Sequence, residues 1–159
     1  MRTAAPPCVK NLPVRLYFDN DYPNPRTTAT STDLAYSDLV NNYYAKKGEF
    51  IRKHGAKFGG KIRETQQSEV GNFFDNDLMG GYNNMNRFLD CLLQELQAGK
   101  SADVFLRGYA SPLARGEYNE ALTRRRVSSV RNEISRYKGG VLRQYLTNCL
   151  LYTSPSPRD

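Results

Sequence analysis

The sequence predicts an α/β two-layer sandwich. Two alternating stretches and the helical periodicity between and after them point that way. LPVRLYF (12–18) places Val14, Leu16 and Phe18 on one face and Arg15 and Tyr17 on the other. Strict alternation of this kind reads as a strand. ADVFLRGYA (102–110) alternates in the same way. The order is strand, helices, strand, helix, ending on a strand–helix unit ready to return to a sheet.

Residues 19–33, DNDYPNPRTTATSTD, are rich in Asp, Asn, Pro and Thr and read as a long loop. Asp33 caps an expected helix from about Leu34 to Lys53, with Leu39, Tyr43 and Phe50 among its apolar positions. Three glycines in HGAKFGGK (54–61) break it. The strongest helical pattern runs from Glu69 to Gln97. There Val70, Phe73, Phe74, Leu78, Tyr82, Met85, Phe88, Leu89, Leu92, Leu93 and Leu96 recur at spacings of three and four. Gly80-Gly81 is the expected kink or division, and Gly99 suits the position just past the helix end. SPLARGE (111–117) is a loop, and a last helix spans Glu117 to about Tyr137. KGG (138–140) stops it, and VLRQYL (141–146) is a short apolar piece of ambiguous type.

The chain has 159 residues, a net charge of +7 and 39% apolar residues. That length holds one domain with its own core. No stretch approaches the ~20 apolar residues of a membrane span. The basic balance favours polyanions or a carboxylate-rich polymer. The three cysteines include no C-x-x-C pair, and one histidine leaves no Cys/His cluster. No metal or cofactor is expected, and the thiols read as buried or idle. Residues 149–159, CLLYTSPSPRD, resemble the translation of a transposase adapter used in sequencing libraries. The expected organisation is therefore an N-terminal extension (1–11), a C-terminally truncated domain (12–148) and a non-native tail (149–159).

The last helix contains an anomaly. Tyr118, Leu122, Arg126, Val130 and Ile134 are four apart and form one row. A guanidinium thus sits inside an apolar stripe. An unpaired buried charge costs several kcal/mol. Arg126 must meet an internal carboxylate, backbone carbonyls or a ligand, unless its head snorkels to water. Arg124 and Arg125 read as a solvated face. The arginine triplet has no interleaved aromatic platform, which speaks against nucleic acid.

GYASPLARGEYNEALTRRRVSSV (108–130) resembles the central motif of the OmpA-like peptidoglycan-binding domain: a strand ending G-H-T-D, then N-x-x-L-S-x-x-R-A-x-x-V on a helix. Gly108, Asn119, Leu122, Thr123, Arg126 and Val130 fall on the motif without a gap, and LYFDND resembles the family's first strand and following turn. The wording is similar to the branch in envelope proteins of Bacteroidetes-type bacteria. The resemblance implies a βαβαβ mixed sheet with helices on one face, here without its last strands. It implies a non-catalytic module that anchors an outer-membrane or periplasmic protein of a Gram-negative bacterium to the cell wall. The partner would be a diaminopimelate-type stem peptide. Arg126 would clamp its carboxylate through a planar fork, with Asn119, Leu122 and Tyr109 beside it. The family's acidic residue falls on Ser111, its His on Tyr109 and its loop Gly on Ala114, so Asp19 or Asp21 would have to supply the negative charge. The alternative is an envelope interaction module on the same fold that has lost wall binding. No acid/base constellation for an enzyme is present: His54 lies in a Gly/Lys loop without a nucleophile motif.

Overall fold

The computed structural model describes residues 7–110, 116–145 and 149–155. A short 3-10 turn at Pro7–Asn11 leads into an extended segment and the loop 19–33. Helices α1 (Tyr36–Tyr44), α2 (Lys47–Gly55) and α3 (Gly60–Asn72) follow. A π-helical turn (Phe73–Leu78) then runs into α4 (Met79–Gln97). Strand β1 (Ala102–Gly108) precedes α5 (Gly116–Arg136), two 3-10 turns (Tyr137–Gly139, Val141–Tyr145) and β2 (Cys149–Pro155).

The chain is mainly helical, which corrects the expected α/β sandwich. Among the described residues the only strand pairing is a parallel one, with Ala102 opposite Cys149 and Gly108 opposite Pro155. No βαβαβ mixed sheet forms among the described residues. The decisive segment is 12–18. It is extended, and Val14, Leu16 and Phe18 do pack against the core. The backbone polar groups of Tyr17, however, are met by a side chain. The Tyr36 hydroxyl accepts from Tyr17 N–H at 3.2 Å and donates to Tyr17 C=O at 2.8 Å. Gly81 lets the segment approach α4 closely: a Cβ there would lie 2.2 Å from the Arg15 carbonyl oxygen. Alternation specifies an extended chain with one buried face; it does not specify a neighbouring strand.

The core lies between α1, the π turn, α4, β1 and α5, with Val40, Phe74, Leu78, Leu89, Leu96 and Ile134 buried in it. Tyr36 is fully buried there, and burial pushes its phenol pKa up. Its ring meets Phe18 edge-on at 5.1 Å. The expected Leu34–Lys53 helix is two helices separated by a turn at 45–46. Its start is fixed by the Asp38 carboxylate, which accepts from Ala35 N–H at 3.0 Å, not by Asp33. The long pattern over 69–97 is interrupted at the π turn before Gly80-Gly81, which itself stays helical. Gly99, at φ +84°, ends α4 as anticipated: its N–H bonds Leu96 C=O at 3.0 Å and Lys100 N–H bonds Glu95 C=O at 3.1 Å. On β1, Gly108 is buried against α5, where a Cβ would meet Thr123 and Val127 within 3 Å.

Two of the cysteines are not idle thiols. Cys8 and Cys91 form a disulfide across 83 positions, tying the N-terminal turn to α4. No spacing motif announces such a pair; the docking of the turn on α4 creates it. A cross-link closing a loop of this length stabilises mainly by restricting the unfolded chain. Reduction should therefore lower the unfolding free energy by about 2–4 kcal/mol, read as a shift of the urea midpoint. The Cys8→Ser/Cys91→Ser variant should start at the lower midpoint and not respond to reductant.

Candidate functional site

The loop 19–33 folds back over α5, and α5 meets it with a comb of donors. Three adjacent arginines take three different positions. Arg124 is exposed and pairs with Glu120 one turn away at 3.1 Å. Arg125, expected on a solvated face, is 0% exposed. Its Nε donates to Pro23 C=O at 2.8 Å, and its Nη1 donates to Thr27 and Ala29 C=O at 3.0 and 2.8 Å. Among the described residues its Nη2 finds no acceptor. Further along, Asn132 donates to Thr32 and Leu34 C=O at 2.7 and 2.9 Å, and Arg136 to Asp33 C=O at 2.7 Å.

The row Ala121, Arg125, Ser129, Glu133 and Tyr137 is buried along its whole length. Helix α5 therefore has two buried sides, one under the core and one under the loop. The second side carries mixed and polar residues, so hydrophobic periodicity is silent about it. A better signal was available. Pro23 and Pro25 contribute carbonyl acceptors without an N–H donor, and guanidinium contributes five donors and no acceptor. A loop of this length lying against the core needs such donors.

Arg126 answers its anomaly with backbone carbonyls, one of the three partners its position demanded. Nε donates to Tyr22 C=O at 2.9 Å, Nη1 to Tyr109 C=O at 3.0 Å and Nη2 to Asp19 C=O at 3.3 Å. Its guanidinium also stands 5.1 Å from the Phe18 ring centroid. The side chain thereby joins the end of the extended segment, the end of β1 and α5. Burial pulls its pKa below the ordinary guanidinium value, and the nearby Asp21 charge opposes that shift.

Arg126 also lines a groove of about 710 Å³ between the extended segment (13–18) and β1, floored by Val127 and Val130. Tyr109 lies at the end of this groove and is 53% exposed. Asp19 is committed elsewhere: its carboxylate binds Lys46 at 2.7 Å, and that hydrogen bond holds the ammonium pKa above its ordinary value. Asp21, in left-handed backbone at φ +63°, is the acid whose charge acts most on Arg126, with Asp19 acting less. Asn119 is half-buried in the first turn of α5. Leu122 is buried and is not among the residues that line the groove. Ser111 lies outside the described residues. The structure thus brings together Arg126, Tyr109, Asp19 and Asp21.

Among the described residues, no group of three or more His, Cys, Asp or Glu side chains is arranged to hold a metal ion. No described helix is long and apolar enough to cross a membrane. No family model matches the chain, and no curated protein or solved structure matches it.

The arginine triplet should respond to substitution in a graded way. Arg125→Met strands three carbonyls and should cost at least about 3 kcal/mol of stability. Arg124→Met should stay within about 0.5 kcal/mol of the unaltered chain. Urea unfolding of the two variants checks both values.

Proposed function

We propose that the chain is a non-catalytic module that holds the peptidoglycan stem peptide in the groove beside Arg126, anchoring an envelope protein to the cell wall. The observation that carries this reading is the state of the Arg126 guanidinium. It is fixed in place by three hydrogen bonds, yet it lines an open groove. Those bonds use three of its five N–H groups. One N–H on each terminal nitrogen is left by them for a carboxylate. A fork held rigid by its own backbone partners loses little freedom on binding.

Asp21 is the acid best placed to face the ammonium of a zwitterionic ligand, because Asp19 is already occupied by Lys46. The disulfide supports the compartment. Structural disulfides persist outside the reducing cytosol, as in a periplasm, and periplasmic or outer-membrane association in a Gram-negative bacterium fits it. The gapless agreement of Asn119, Leu122, Thr123, Arg126 and Val130 with the OmpA-like motif adds the ligand class.

A second reading is an envelope interaction module on the same chain. It is favoured by the exposed rings of Phe105 and Tyr109 at the β1 edge of the groove and by the self-satisfied half of Arg126.

Sedimentation with purified sacculi separates the two. The wall-binding reading expects the chain in the pellet, free diaminopimelate to displace it, and Arg126→Lys to weaken binding by roughly tenfold. Ser111→Asp should strengthen binding only while Arg126 is present. A chain that stays in the supernatant, or a pellet indifferent to diaminopimelate, contradicts it. Co-purification of an envelope protein in that case favours the second reading.

A further inference from the structure

The α2–α3 hairpin carries a concentration of charge that the groove does not use. Residues 50–63, FIRKHGAKFGGKIR, contain Arg52, Lys53, Lys57, Lys61 and Arg63 and no acidic residue, in a chain whose net charge is +7. Glu49 and Glu64 flank the stretch, and Glu49 is taken up by Lys53 at 2.6 Å. Arg52, Lys57, Lys61 and Arg63 are all exposed.

The two helices pack mainly against each other, so the tip projects from the body of the protein. Its shape is nevertheless fixed. Arg63 Nε donates to Gly55 and Phe58 C=O at 3.0 and 2.7 Å, closing the turn. His54 Nε2 bonds Gln66 Oε1 at 2.9 Å across the hairpin. Gly55 is buried at the crossing, where a Cβ would collide with the Gln67 side chain. The turn thus offers a preformed cationic surface. Ile62, next to Lys61 and Arg63 in the sequence, is 62% exposed.

We propose that this tip is a membrane-surface contact that seats on anionic phospholipid headgroups, with Ile62 entering the headgroup boundary. A cluster of cations around an aliphatic side chain matches the charge of such a surface and its shallow apolar layer. Single-stranded nucleic acid would need rings presented as a stacking platform. Here the ring pair is His54 and Phe58, 5.5 Å apart, with His54 held to Gln66 and Phe58 half-buried. The contact is independent of the groove, so its outcome does not depend on wall binding.

Flotation of the full chain with vesicles tests it. The chain should rise with vesicles of phosphatidylglycerol and phosphatidylcholine mixed one to one, and not with phosphatidylcholine alone. Raising the salt concentration should release it. Each cation near such a surface contributes about a fivefold factor, so Lys57→Gln/Lys61→Gln should weaken partitioning by roughly 30-fold. Ile62→Ser should weaken it without changing the salt dependence. All three positions are exposed, and an unchanged thermal melt shows that the variants keep the fold. Failure to float with the anionic vesicles, flotation of the double variant equal to that of the unaltered chain, or binding to duplex DNA in place of vesicles overturns the proposal.

Discussion

The structure depends on donation from α5 to the carbonyls of a loop. Residues 19–33 contain too few apolar side chains to bury themselves, and their prolines offer acceptors without donors. Arg125, Arg126, Asn132 and Arg136 supply the missing donors from one helix. A guanidinium suits this task because its planar fork reaches several carbonyls at once and accepts nothing in return. Hydrogen bonds to a charged donor are among the stronger ones available. The helix is therefore sandwiched between an apolar core and a polar strap, and its burial is complete along the Arg125 row.

That arrangement also sets the geometry of the groove. Arg126 gathers Asp19, Tyr22 and Tyr109 around one cation. The extended segment cannot drift from β1 while this junction holds, and Tyr36 fastens the same segment from the other side. A carboxylate-bearing ligand entering the groove would meet a cation already oriented. The same junction explains why a structural and a binding role need not compete for Arg126: its hydrogen-bonding capacity exceeds what the backbone takes.

Much of this was legible in the residues, and the failures have physical causes. The spans of β1 and α5, the stop at 138–140 and the role of Gly99 followed from alternation, period and glycine chemistry, which are local. The mixed sheet was wrong because strand pairing is not local. LPVRLYF has the pattern of a strand, but Tyr17 within it exchanges its backbone bonds with the Tyr36 hydroxyl. Arg126 stands out because a charge within an apolar row breaks a visible pattern, and backbone carbonyls meet it. Arg125 was missed because its row is buried under a loop, and a mixed, partly polar row shows no hydrophobic period. Leu122 is placed at the ligand by its motif position, and in the structure it is buried. The disulfide required knowing that the N-terminal turn docks on α4.

The strap can be tested where it is most exposed. Arg26 lies within the loop, on the surface, between two of the carbonyls that Arg125 holds. Limited trypsin digestion of the unaltered chain and of Arg125→Met, both checked as folded by circular dichroism, reads the clamp directly. The Arg125 clamp requires slow cleavage after Arg26 in the unaltered chain and rapid cleavage there in the variant, ahead of any other site. Equal rates at Arg26 in the two chains would contradict it.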